Sequence, residues 1–318
     1  MVVKINNFKG INYSIGLSNE GLLNGLFFSK KNASIKSDLL FIHNKLNCKN
    51  VRIFGSQVDK LITVGKLSLD LGISPWFSPR FINSDFEITK KLLKDFCLKA
   101  KNASLEKEPL FVGNEFVLDC SDLLGKKVNS WFKRIDIVLG EIKRGRTFNI
   151  TNKIKELIKI ARDNGWKGSL SYASFMYEVV DWQSIKDDNL IVAQNLYWER
   201  DAETNSPECA LIYEQKIEKL IKEAGARKVI ISEYGSVPHK DGLTAGGGGF
   251  MLKGKIDYDA QKDALAKYFE VFKKYHLMNF LFCFENKTKN PEGSFGIVNS
   301  KNMNVLLPAA QIFAKFMQ

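Results

Sequence analysis

The chain has 318 residues, 45% of them hydrophobic, and a formal net charge of +12. That length supports one large core or two smaller ones, and no run of 18 apolar residues offers a membrane-spanning helix. The charge is almost all lysine, with only eight arginines, and the lysines fall on helical faces such as 90–102 and 216–228. This reads as solvated helix surface. Nucleic-acid readers cluster arginine with exposed aromatics, so no specific nucleic-acid partner is expected.

Strand-like and helix-like stretches alternate in chain order. "FKGINYS" (8–14) reads as a strand, and 34–47 has helical apolar spacing. "NVRIFGS" (50–56) is a β run, followed by a helix over 59–72 closed by Gly72. "ISPWFSPRF" (73–81) is strand plus loop, because its prolines exclude a helix. A helix over 87–102 precedes the strand "PLFVGNEF" (109–116).

The region 128–164 reads as two helices split near 143–149. "GSLSYAS" (168–174) is a strand, with a short, poor helix at 180–186. "NLIVAQNLYW" (189–198) is the sixth strand. The helix after it, 206–226, has Ser206 as N-cap and Pro207 in its first turn. "KVIISEYGS" (228–236) is the seventh strand, with a helix over 257–276 capped by Asp257 or a neighbour. "MNFLFCFEN" (278–286) is the eighth strand, and 304–317 closes the chain as a helix.

Eight strands, each followed by a helix, match one (β/α)8 barrel over 1–318, with an extended segment at 117–150 after the fourth strand. An open doubly wound sheet is the alternative, but "FKGINYS" is no dinucleotide fingerprint. The five cysteines and three histidines are scattered without ligand or redox spacing, so no metal and no cofactor are expected. Unpaired cysteines and an N-terminus too short and polar for a signal peptide point to a cytoplasmic protein. "TAGGGGF" (244–250) lacks the Lys-Ser/Thr of a phosphate loop and reads as a mobile loop over the barrel mouth.

In such barrels, function collects at the C-terminal ends of the strands. Those ends offer Arg52, Asn114 and Glu115, then Asn195, Tyr197 and Trp198, then Glu233, and last Phe284, Glu285 and Asn286. Carboxylates at the fourth and seventh strand ends stand on opposite sides of a mouth. Glycoside cleavage uses such a pair, one to protonate the leaving oxygen and one to attack the anomeric carbon, and retention needs them about 5–5.5 Å apart. Arg52 would hold Glu233 ionised, Asn114 would donate to a sugar hydroxyl, and Tyr197 would bond Glu233. Trp76, Trp198 and Phe284 are candidate stacking platforms. Glu285 would bind a sugar hydroxyl or pair with a lysine such as Lys287.

"VGNEF" and "ISEYGS" resemble the acid/base and nucleophile motifs of clan A glycoside hydrolases, with "VRIFGS" and "LYW" matching that clan's strand-two arginine and strand-six tyrosine. The resemblance implies a retaining (β/α)8 enzyme with Glu115 as acid/base and Glu233 as nucleophile. The clan usually has tryptophan at the strand-eight platform, where Phe284 is the nearest residue here. A closer likeness, carried by "NCKNVRIFGS" and by "SEYGS" before "TAGGGGF", is to prokaryotic proteins labelled abortive infection proteins. The competing function is a non-catalytic carbohydrate-binding or phage-defence protein on the same barrel. The presence of both carboxylates favours the enzyme.

Overall fold

The computed structural model describes residues 9–16, 32–199, 210–246, 252–286, 294–299 and 305–316. Eight parallel strands close into a barrel. They are β1 (Lys9–Ser14), β2 (Asn50–Gly55), β3 (Ser74–Pro79), β4 (Leu110–Asn114), β5 (Leu170–Ser174), β6 (Leu190–Asn195), β7 (Lys228–Tyr234) and β8 (Met278–Leu281). β1 pairs with both β2 and β8, which leaves no open edge. The fold is thus the single (β/α)8 barrel read from the sequence.

Helices α1 (Asn32–Asn44), α2 (Val58–Asp70) and α3 (Phe86–Asn102) follow the first three strands. α4 (Trp131–Lys143) and α5 (Thr151–Asp163) both follow β4, as the split near 143–149 implies. α6 (Ala210–Ala224), α7 (Tyr258–Lys274) and α8 (Pro308–Lys315) follow β6, β7 and β8. Asp85, Ser130 and Asp257 cap α3, α4 and α7 through their side-chain oxygens. Gly72, at φ +73°, takes the left-handed turn that ends α2. The proposed cap Ser206 lies outside the described residues.

Three elements differ from the sequence reading. The fifth unit has only a 3-10 turn, Trp182–Ser184, where the sequence reading expects a short, poor helix over 180–186. β4 stops at Asn114, and Phe116–Asp119 forms one helical turn. β8 stops at Leu281, after which Glu285–Asn286 pairs in parallel with Val298–Asn299.

Side chains alternate across each strand, and this sorts the core into two layers. Outward residues such as Ile11, Tyr13, Val51, Ile53 and Phe77 pack beneath the helices. Inward residues Trp76, Phe111, Ile191, Ile230, Met278 and Phe280 fill the barrel. Polar inward residues lie toward the C-terminal mouth, two or three positions further along the same strands.

Candidate active site

Arg52 sits at the centre of the mouth, fully buried. Its Nη1 donates to Glu233 Oε1 at 2.8 Å, Asn12 Oδ1 at 3.1 Å and the Ser232 carbonyl at 3.2 Å. Its Nη2 donates to Asn114 Oδ1 at 2.7 Å and Ser78 Oγ at 3.0 Å. The guanidinium lies 4.5 Å from the centre of the Phe111 ring below it. Burial lowers the Arg52 pKa and Glu233 opposes that effect. A buried cation is tolerated because its charge and most of its donors are met.

Glu233 is held at both oxygens, because Tyr197 donates its hydroxyl to Oε2 at 3.2 Å. Burial, then the charges of Glu233 and Glu115, push the Tyr197 hydroxyl well above its ordinary pKa, so it remains a donor. Asn12 braces this side: its Nδ2 donates to the Ser232 and Phe280 carbonyls while its Oδ1 accepts from Arg52.

Glu115 stands across the mouth in a different setting. Asn195 Nδ2 donates to its Oε1 at 2.9 Å, and Arg80 Nη2 lies 3.5 Å from its Oε2. Ser232, next to Glu233 in the chain, donates to Asn195 Oδ1 at 2.7 Å, which ties the two carboxylates into one network. Burial first, then the charge of Glu233, raise the Glu115 pKa, while Arg80 and Asn195 pull it down; it settles at about 7.

The turn that carries Glu115 is anchored from behind. Glu115 has φ +39°, a left-handed conformation costing of order 1 kcal/mol for a residue with a Cβ. Behind it, buried Glu178 accepts from the Val117 and Phe175 amides and from the Tyr172 hydroxyl. Tyr172 in turn accepts from the Phe116 amide at 2.6 Å. These bonds hold the amides just after Glu115. Burial pushes Glu178 up to about 8 against those donors.

Of the residues expected at the site, Arg52, Asn114, Glu115, Tyr197 and Glu233 come together. Trp76, Trp198 and Phe284 do not present stacking faces, and their reading as platforms is corrected. Trp76 is in the barrel filling, 5.1 Å from the Phe280 ring centre and two positions below Ser78 on β3. Trp198 faces outward and stacks on Tyr213 at 4.8 Å. Phe284 lies beyond the end of β8 and packs edge-on against Tyr13 and Phe41 under α1. Glu285 acts electrostatically on Tyr13, on that same outer side. Lys287, its proposed partner, and 247–250 of the glycine-rich loop lie outside the described residues.

Among the described residues, Phe282 is half-buried against Phe54 and Phe295, and Phe295 in turn touches Tyr197. Sequence reading also missed Asn12, Ser78, Arg80 and Asp119. A signal for Ser78 and Arg80 was present: Trp76, Ser78 and Arg80 fall at period two and share the inward face. Among the described residues, no group of three or more His, Cys, Asp or Glu could hold a metal ion. Nor is any described helix long and apolar enough to cross a membrane.

No family model and no curated protein matches the chain, so the likeness to abortive infection proteins gains no support. Solved structures do match in fold. A GH113 β-1,4-mannanase is 15% identical over 99% of this chain and 98% of that one, with a TM-score of 0.63. The Rhizomucor miehei β-1,3-glucanosyltransferase of glycoside hydrolase family 17 is 16% identical over 93% and 94%, with a TM-score of 0.59. A fungal β-1,4-galactanase is 10% identical over 87% and 90%, with a TM-score of 0.56. This chain shares the fold of these neighbours over 87–99% of its length.

Proposed function

We propose that the chain is a retaining glycoside hydrolase that cleaves a β-linked glycan by double displacement, with Glu233 as nucleophile and Glu115 as acid/base. The observation that carries this reading is the unlike setting of two carboxyl groups in one network. Glu233 is gripped by a guanidinium and a phenol, whereas Glu115 is raised to about 7 and so keeps its proton in about half of the molecules at neutral pH. Two carboxyl groups in such unlike surroundings divide the roles of nucleophile and acid between them.

In the first step a Glu233 oxygen attacks the anomeric carbon, the bond to the leaving oxygen breaks, and Glu115 gives that oxygen its proton. Glu233 becomes a neutral ester and its charge no longer raises Glu115. Ionised Glu115 then takes a proton from water, whose oxygen attacks the anomeric carbon and restores the Glu233 carboxylate. Asn114 Nδ2 is buried with no partner among the described residues, which suits it to donate to a sugar hydroxyl. The reading includes a cytoplasmic setting, supported by the buried, unpaired thiols of Cys48, Cys97 and Cys120.

The test is a panel of epoxide and fluorinated glycosyl traps of different sugar configuration, followed by peptide mass mapping. A stable adduct on Glu233 with one sugar class is the expected result. No adduct with any trap, together with no cleavage of matching aryl glycosides, would remove the enzyme reading.

A further inference from the structure

Arg80 is a buried cation at the mouth that the two-carboxylate scheme leaves unused. It follows β3, is only 6% exposed, and makes a two-pronged pair with Asp119 of the turn after Glu115, Nε to Oδ2 at 2.7 Å and Nη2 to Oδ1 at 3.0 Å. The same Nη2 lies 3.5 Å from Glu115 Oε2. Asp119 therefore fixes Arg80 beside Glu115 while drawing its donors away, so the guanidinium acts on Glu115 as a charge nearby rather than as a tight bond.

We infer that Arg80, clamped by Asp119, is a positioning residue that sets the proton affinity of Glu115 and readies it to serve as base in the second step. The inference rests on the glycosidase reading above. The groups facing Glu115 are Glu233 from β7, Arg52 from β2, Asn195 and Tyr197 at the end of β6, Arg80 and Asp119, with Glu178 behind the turn. With Glu115 protonated, two arginines balance Glu233 and Asp119. Once Glu233 is esterified, the cluster carries one cation in excess. That excess favours ionised Glu115 just when a base is required. In the resting enzyme Arg80 is partly neutralised by Asp119, so the acid form survives near neutral pH.

The experiment follows the Glu115 carboxyl by 13C NMR in glutamate-labelled protein, with Glu115→Gln as the assignment control. Arg80→Met removes the cation and should move the Glu115 midpoint up by about one pH unit or more. Asp119→Asn removes a facing negative charge and frees Arg80, so the midpoint should move down. A packing defect has no reason to give opposite signs. Arg80→Lys, which keeps the charge, should return the midpoint most of the way to wild type, and Arg80→Gln removes the charge in place of Arg80→Met if that chain fails to fold. Kinetically, Arg80→Met should slow deglycosylation more than glycosylation at pH 6, so glycosyl-enzyme accumulates. Midpoints that stay fixed in the Arg80→Met and Asp119→Asn chains, or that move together, overturn the inference. Opposite shifts in a protein that cleaves no glycoside uphold Arg80 as the charge that sets Glu115 and sink the glycosidase reading instead.

Discussion

Asn195 pairs with Glu233 across the β6–β7 ladder, one residue out of the register set by Gln194 and Ile231. β8 sees the same slip, with Asn279 opposite Ile231 and Leu281 opposite Tyr234. β7 therefore carries an extra residue near Ser232. Strict alternation from inward Ile230 would send Glu233 outward under the helices. The bulge lets Ser232 and Glu233 both face the barrel, where one bonds Asn195 and the other Arg52. β4 has a matching irregularity between Phe111 and Asn114, which turns Asn114 inward.

Arg52 should not tolerate lysine. A lysine has one point of charge and cannot reach Glu233 on one side and Asn114 and Ser78 on the other. Arg52→Lys is expected to lower kcat about 100-fold or more while retaining the fold. Arg52→Ala leaves Glu233 buried without its cation and should cost about 3–5 kcal/mol of stability as well. Steady-state kinetics beside urea unfolding separates the two. A lysine variant of normal activity would return Arg52 to a purely structural role.

Period-two alternation carried much of this site in the sequence. It places Arg52 inward between Val51 and Ile53, it places Asn195 and Tyr197 inward, and it sends Trp198 outward to stack on Tyr213. The reading from strand ends alone counted Trp198 as a mouth residue because it ignored that alternation. Phe284 fails for another reason. β8 ends at Leu281, and no turn residue in "MNFLFCFEN" announces it. The bulges were likewise invisible, because their cause is the competing demand of Asn195 and Arg52 from other strands. Arg80 and Asp119 lie 39 residues apart, and only the closed barrel brings them together.

Glu115 should cost the protein stability as pH rises. Its pKa in the fold, about 7, lies above the ordinary 4.5, so the native state holds the proton more tightly. The resulting stabilisation is fully present below 4.5 and is lost as pH climbs through 7. Glu115→Gln escapes that loss. The stability of the variant relative to wild type should therefore grow by up to about 3 kcal/mol between pH 5 and pH 9. Paired denaturant curves at the two pH values measure this, and a flat difference would return Glu115 to the usual carboxyl range.

Glu178 should matter to Glu115 without touching a substrate. Glu178→Ala orphans the Val117 amide and the Tyr172 hydroxyl, two buried donors, and the part-buried Phe175 amide. The expected loss is about 3 kcal/mol or more. Released from that anchor, the left-handed turn at Glu115 should relax. Leaving groups that need protonation should then suffer more than nitrophenolates that do not. Equal losses on both substrate types would confine Glu178 to folding.

The described thiols should differ in reactivity. Burial pushes Cys48 up to about 11 and Cys97 up to about 12, and raises Cys120 further, whereas Cys283 is half-buried near the mouth. Alkylation of the folded protein with mass mapping should spare the first three and mark Cys283. Rapid labelling of Cys48 or Cys97 would contradict their packing.

The decisive pair of substitutions is Glu233→Gln and Glu115→Ala. Glutamine at 233 keeps the bonds to Arg52 and Tyr197 in rough outline but cannot form a glycosyl ester, so turnover should vanish on every substrate. Alanine at 115 removes the proton donor and the later base, yet leaves the nucleophile in place. An aryl glycoside with a good leaving group needs no proton, so its first step should survive and glycosyl-enzyme should build up. Azide is a nucleophile that needs no general base. Added azide should therefore restore turnover and yield a glycosyl azide of the same anomeric configuration as the substrate. A glycosyl azide of inverted configuration would mean that azide displaces the leaving group directly, with no ester on Glu233 formed first. The assignment of nucleophile to Glu233 would then be wrong, however well Arg52 and Tyr197 hold it.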